Sequence, residues 1–528
     1  MFSITGCTGR PVPWGPPPCQ TGSLRSRRGR ARHRLGCVPQ SRTEETYEPD
    51  PRRWRALTVT LVAGFMGLLD VSIVSVALPS MQHGLGTSPA QVQWVVSGYA
   101  LAFGLALVPA GRLGDAFGRR RMFLIALAGF VLFSALAGAA PTPLLLVVAR
   151  VAQGLAAGML APQNSGLIQD LFRGAERGRA FGFFGATVGI STAVGPIVGG
   201  VILALAGEEN GWRWIFYVNV PIGVVALILA ARLLPPLRQS TRPGHIDHVG
   251  VVLLGGAVLA VLLPLVEAES GGLGRLWWLF VVGIVLGVAF VRWERRELRR
   301  DRAPLIDLRL LSDTPGYSSG AALGMVYFVG FSGIWLVFAL FFQNGLGWTP
   351  LQSGLAVTPF AAGSAISSAV AGRVVDRFGR KLTVAGLCGV AVGLGATTVL
   401  LATVPSHVAG FVIIPPMLVG GIGGGLVISP NLTMTLRCVP VRMAGSAGGA
   451  LQTGQRIGAA VGTAALTGIF YSVLGSDPGR LHTAVAVALG AAVVMVLAAL
   501  GIAIAELRAG RRAADAVAVP LDTAHQHQ

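Results

Sequence analysis

The chain has 528 residues, 53% of them apolar and only 12% charged, with 73 glycines, which excludes an ordinary soluble two-domain protein and places the chain in a lipid bilayer. A net charge of +19 would suggest nucleic acid as the partner of a soluble protein, but the distribution of that charge excludes it. Apolar runs of at least about 18 residues give fourteen spans, and of the 42 Lys and Arg only Arg213, Arg275 and Arg480 fall on the outer connections and only Arg150 and Arg456 within spans. This positive-inside pattern predicts a multi-pass protein of the cytoplasmic (inner) membrane with both termini cytoplasmic. It requires an even number of spans.

Residues 1–53 carry the run RSRRGRARHR from Arg25 to Arg34 and no apolar segment, so they read as a disordered basic cytoplasmic tail. Residues 54–236 then hold six spans. Span 1 carries Asp70, the only carboxylate deep in a span among the 23 acidic residues; an ionised side chain there costs at least about 2.5 to 3.5 kcal/mol and usually has a task. In general burial favours the neutral carboxyl and a nearby cation the charged one, so an acid held between the two can gain and lose a proton. Arg150 of span 4 is the candidate cation. At about 1.5 Å per residue, Asp70 lies roughly 13 Å and Arg150 roughly 10 Å below the outer ends of their helices. A buried structural ion pair is the alternative.

Span 2 carries Trp94, Tyr99 and Phe103 and ends in GRLGDAFGRRR, Gly111 to Arg121. Gly114 and Gly118 permit a tight turn at the membrane face. Asp115 can pair with Arg119 or Arg121 and with a neighbouring helix N-terminus, so Gly111, Asp115, Gly118 and Arg119 read as a breakable latch, or else as charges that only enforce topology. In span 5, Gly189, Gly195, Gly199 and Gly200 would let another helix approach closely, and Pro196 would bend the helix.

Residues 237–313 hold two further spans and the segment ERRELRRDRAPLIDLRLL, which is expected to lie along the inner membrane surface. Residues 314–507 hold six more spans, and 508–528 form a cytoplasmic tail. In span 9, Phe331, Trp335, Phe338 and Phe342 make one stripe that can stack flat drugs or face lipid. After span 10 the earlier loop returns as GRVVDRFGRKL, Gly372 to Leu382, matching the first copy at an offset of 261 residues, with Asp376 and Arg380 as the second latch. Arg179/Arg442, Gly182/Gly445 and Gly195/Gly458 pair at an offset of 263. The chain is a duplication, with the two extra spans between its halves. Gln163, Asn164 and Asn431, near Pro162 and Pro430, are sparse polar groups suited to orienting a ligand. Arg456 of span 13 is the second buried cation, either a substrate contact or a hydrogen-bond hub.

In order along the chain, LLDVSIVSVALP (Leu68 to Pro79), GRLGDAFGRRR, ARVAQG (Ala149 to Gly154), GISTAVGPIVGG (Gly189 to Gly200) and GWRWIFYVNVPIG (Gly211 to Gly223) resemble the motifs of the major facilitator superfamily, and specifically its fourteen-span drug/proton antiporters of the EmrB/QacA type. The resemblance implies an all-α polytopic membrane protein with the major facilitator fold, two six-helix bundles plus two inserted helices. It implies that Asp70 with Arg150 couples to protons, that the loop after span 2 latches onto helix 13 near Arg442, and that Gly195, Pro196, Gly199 and Gly200 help seal the pathway against proton leak. The tentative substrate contacts are Trp94, Tyr99, Phe331, Trp335, Asn431 and Arg456. With no second deep acid in spans 9 to 14, neutral or singly charged amphipaths are expected rather than dications.

The function expected is proton-driven export of amphipathic drugs or antibiotics by alternating access, by a monomer without a cofactor or metal. Proton-coupled uptake of a small organic solute and a non-transport receptor or scaffold are the alternatives. An ATP-driven pump is excluded, because the ATP-binding loop ends in Gly-Lys-Ser/Thr and the one lysine, Lys381, stands between Arg380 and Leu382. An enzyme would need a clustered acid/base or metal set, and the 8 histidines all fall in tails, loops or span ends.

Overall fold

Ser88 and Thr349, 261 residues apart, start the second helix of each half in the same way. Each hydroxyl accepts the backbone N–H three residues on, at 3.4 Å from Gln91 and 3.3 Å from Gln352, and each glutamine side chain accepts the cap residue's own N–H at 3.3 and 3.0 Å. Proline follows each cap, where its missing N–H costs nothing. A computed structural model of the chain describes residues 49–207, 210–235, 247–268, 271–300, 302 and 304–518. Most of the tail, residues 1–48, and part of the insert, 236–246, therefore lie outside the described residues, as do the side chain of Pro196 and residues 519–528.

The first half comprises α1 (Arg53–Leu85), α2 (Pro89–Phe117), α3 (Arg119–Ala139), α4 (Pro143–Leu171), α5 (Gly174–Ala206), α6 (Gly211–Tyr217) and α7 (Asn219–Leu233); α6 and α7 form one rod with a break at Val218. The insert follows as α8 (His248–Val266), the one-turn α9 (Gly272–Arg275), α10 (Trp278–Arg299) and α11 (Arg309–Asp313). The second half comprises α12 (Tyr317–Ser332), α13 (Ile334–Ala339) running into a π-helical turn, α14 (Pro350–Phe378), α15 (Arg380–Thr403), the short α16 (Ala409–Val412), α17 (Ile414–Thr435), α18 (Ala444–Leu474) and α19 (Leu481–Ala518).

Among the described residues, 12 helices are long and apolar enough to cross a membrane. The remaining two expected spans coincide with α5 and α10. The first of these opens on Glu176, Arg177 and Arg179, and the second loses its apolar character at Arg292 and Glu294. Two expected boundaries move. The charged segment after Arg292 does not begin as a surface linker but continues α10 to Arg299, and the Ala-rich sequence after residue 507 keeps α19 helical to Ala518, as its high helix propensity dictates.

The two halves meet at the Arg-rich end through glycines that the repeat relates. A Cβ on Gly111 of α2 would overlap the Gly445 carbonyl at the start of α18, and one on Gly372 of α14 would stand 2.5 Å from the Gly178 carbonyl and 2.6 Å from the Gly182 Cα of α5. Both crossings exist only because no side chain intervenes. Phe172 and Phe181 of the first half share an apolar cluster there with Leu432, Leu436 and Leu451 of the second. The inserted helices α8 and α10 pack on each other, and Val258 and Leu262 of α8 lie against Leu101 of α2 and Ile457 of α18, covering the seam between the halves.

Candidate functional site

Asp70, Arg150 and Tyr99 come together in the first bundle, all at most 2% exposed. Arg150 of α4 donates to Asp70 Oδ2 at 2.5 Å, Gln153 to Oδ1 at 3.0 Å, and Asn219 of α7 to Oδ1 at 3.3 Å. The arginine is anchored independently of Asp70, through the Val95 carbonyl at 3.0 Å, the Gln153 side-chain oxygen at 2.8 Å, and the face of Tyr99 at 4.2 Å. Tyr99 donates in turn to the Gly67 carbonyl, one turn before Asp70, at 3.1 Å. Asp70 thus has a cation and two amides for partners, while Arg150 has partners of its own besides Asp70. Sequence reasoning missed Gln153 and Asn219. Both stand inside the quoted ARVAQG and GWRWIFYVNVPIG segments, and the spacing of three from Arg150 to Gln153 was the available signal.

The helix 5 segment lies beside this pair. Ser72 of α1 donates to the Ser191 carbonyl at 3.2 Å, and a Cβ on Gly195 would overlap the Ser72 hydroxyl. Gly189 faces α14 across the halves, with Ala361 and Ala365 each 3.2 Å from a built Cβ. Gly199 is buried. Gly200 corrects the expectation of close approach, because no described atom lies within 4 Å of where its Cβ would stand. The backbone runs helical through position 196.

At the Arg-rich end Asp115 sits on the N-terminus of α18. It accepts Gly445 N–H at 3.0 Å, Ser446 N–H at 2.8 Å and the Ser446 hydroxyl at 2.9 Å, the arrangement that unsatisfied helix N–H groups favour. Arg119 clamps it at 2.8 Å, pairs with Asp170 of α4, and donates to the Gly166 and Val441 carbonyls at 3.0 and 2.5 Å. Gly118 holds the intervening turn at φ 94°, which a β-carbon would strain.

The second copy is built differently. Asp376 is exposed and, among the described residues, has no hydrogen bond or ion pair, so it does not dock on α5 as Asp115 docks on α18. Arg380 turns inward instead, to Glu506 of α19 at 2.7 Å and Asn431 of α17 at 2.5 Å. Asn431 also donates to the Gly320 carbonyl at 3.1 Å. Both ends of its amide are thus engaged by the protein.

The aromatic stripe faces protein, not lipid. Phe331 and Trp335 pack on Phe360 of α14, at 5.7 and 5.1 Å between ring centres, and Phe338 and Phe342 are buried. Trp94 is 37% exposed and apart from Tyr99 and Phe103, since five residues of helix turn it away from them. Arg456 of α18 lies over the ring of Phe103 of α2, 4.3 Å from its centre, and Phe103 stacks on Tyr99 at 6.2 Å.

The family model described as the Major Facilitator Superfamily matches residues 60–292 and 320–520. The chain is 37% identical over 438 residues to the "Probable actinorhodin transporter" of Streptomyces coelicolor, covering 81% of this chain and 74% of that one. It is 36% identical over 423 residues to a puromycin resistance protein of Streptomyces alboniger, covering 79% and 82%. Among solved structures, the human organic anion transporter MFSD10 superposes with a TM-score of 0.62 over 86% of this chain and 100% of the other. At 14% identity that likeness shows the fold alone.

Proposed function

The chain belongs to the major facilitator superfamily, a family of transporters and not of enzymes, and from that membership we propose that it exports amphipathic drugs or antibiotics across the cytoplasmic membrane in exchange for protons. The observation that carries the reading is the Asp70–Arg150 pair at 2.5 Å, sealed from solvent. An ionisable group buried that deeply is costly and rare, and such groups usually mark a proton or substrate pathway.

The cycle follows from the contacts. With Asp115 on the N-terminus of α18 and Gly111 against Gly445, the Arg-rich, cytoplasmic side is closed. A proton reaching Asp70 from outside removes its charge, loosens α1 from Arg150, and favours release of the drug outward. The halves then rock, the Asp115 latch opens, and the proton leaves inward as the next molecule enters between the halves. Gly195 on Ser72 holds α5 close to α1 beside Asp70, which keeps water from bypassing the carboxyl. One charge moved through 100 mV supplies about 2.3 kcal/mol, enough for a concentration ratio of roughly 50. The protein works as a monomer with both termini cytoplasmic.

The test is an efflux panel in cells carrying wild type or Asp70→Asn at equal membrane abundance. Wild type should lower the accumulation of at least one lipophilic drug in a manner abolished by a protonophore, and the variant should not. Accumulation raised by wild type would instead establish uptake.

A further inference from the structure

Arg456 has no carboxylate to answer it. It stands 12 residues into α18, about 18 Å from the Arg-rich end, and among the described residues it forms no ion pair and no hydrogen bond; its one recorded contact is the ring of Phe103 across the seam. The elements packed around it carry acids only at their ends. On α2 the acid is Asp115, held by α18 and Arg119; Asp170, near the end of α4, is held by Arg119; Asp247 caps α8; Glu506 of α19 is held by Arg380; and α12 has none. Its nearest titratable neighbour is Tyr99, which feels the charges of both Arg150 and Arg456. Arg456 is half-buried, so its guanidinium keeps some access to water, and an aromatic face repays only part of what the rest of it loses. The charge is therefore half of an interaction whose other half is missing.

We propose that Arg456 is the recognition group for an acidic amphipathic substrate, whose carboxylate or ionised phenol pairs with the guanidinium. This rests on the export reading above and narrows it to a substrate class. Geometry supports the class, because a planar guanidinium with free N–H groups takes an oxyanion in bidentate fashion, and the buried ring of Phe103 backs it at 4.3 Å. Tyr99 touches Arg150 on the same side of the bundle, so two stacked rings separate the bound anion from the coupling pair. Energetically the class suits an exporter. With an inside-negative membrane, an anion leaving and a proton entering move two charges in the favourable direction, so the limiting ratio at 100 mV rises from roughly 50 to roughly 50 squared.

The test uses the purified full chain in lipid nanodiscs and two probes that differ only in charge, anthraquinone-2-carboxylic acid and its methyl ester. Wild type should bind the acid at least about tenfold more tightly than the ester, Arg456→Gln should bind the two alike, and Arg456→Lys, which keeps the charge but not the planar fork, should retain only part of the preference. Equal binding of the two probes by wild type, or a preference undiminished in Arg456→Gln, overturns the inference. Should the glutamine variant not fold, the wild-type pair and the lysine variant decide it. In energised proteoliposomes, gradient-driven export of the ester without preference for the acid sinks this inference alone. Acid-selective binding without gradient-driven movement of either probe supports it and sinks the export reading.

Discussion

Asp70 and Arg150 were legible as residues because a charge inside an apolar run is conspicuous, whereas Gln153 and Asn219, which complete the site at 3.0 and 3.3 Å, are neutral amides that cost little to place and so leave little mark on the sequence. The same limit applies to Asn431. Its proximity to a proline in a span says nothing about which arginine reaches it, and Arg380 does. Glu294 was not singled out at all, since it opens a charged run. Yet it is fully buried beyond the apolar part of α10, and its carboxyl is pushed up to about 8, first by burial and then by Asp247 of α8, against the pull of the Ile306 N–H. A carboxyl whose folded value is raised binds more protons folded than unfolded, so its contribution is full below its ordinary range and is lost as pH climbs through about 8. The melting temperature of the purified protein should accordingly fall between pH 5 and 8, and Glu294→Gln should flatten that part of the profile. A slope unchanged in the variant would assign it to other groups.

At the scale of elements, the duplicated loop revealed which helices correspond but not how each is used. The two copies share their glycine turns and their capping boxes at one offset of 261, yet Asp115 holds α18 while Asp376 points to solvent. The difference lies in the partners. The first arginine finds Asp170 on its own bundle, and the second finds Glu506 on α19, an acid near the end of the last helix that no motif announced. Only the first copy therefore ties one half to the other by a direct ion-to-helix contact; at the second, the glycine crossing is accompanied by Arg177 of α5, which feels the charge of Asp376 and donates to the Arg437 carbonyl at 3.3 Å. Gly111→Ala would drive a methyl into the Gly445 carbonyl, a backbone atom that cannot swing aside. The variant should fold but close poorly on the Arg-rich side. Spin-label distances between that end of α2 and of α18 should lengthen by several ångströms relative to wild type, with export reduced about tenfold or more. Unchanged distances would mean the latch is not what holds this state.

For the whole molecule, composition and the alternation of arginines identified a polytopic helical protein, and the repeat identified its two halves. The inserted pair was legible as an interruption but not as a function. In the structure α8 covers the seam between α2 and α18, a position set by tertiary packing that an all-apolar helix, with no polar face to orient it, does not encode. The same packing gathers one acid, two arginines and two rings from four helices into a line that runs from Asp70 through Arg150, Tyr99 and Phe103 to Arg456. The account as a whole predicts that protons and substrate move in opposite directions through one machine that Asp70 drives. The direct measurement is proton flux across proteoliposomes holding purified protein and an internal pH dye, after a transported drug is placed on one side only. Wild type should move protons toward the side holding the drug, and Asp70→Asn, equally well inserted, should not; drug movement that leaves the internal pH untouched in wild type, or proton flux that persists in Asp70→Asn, would contradict it.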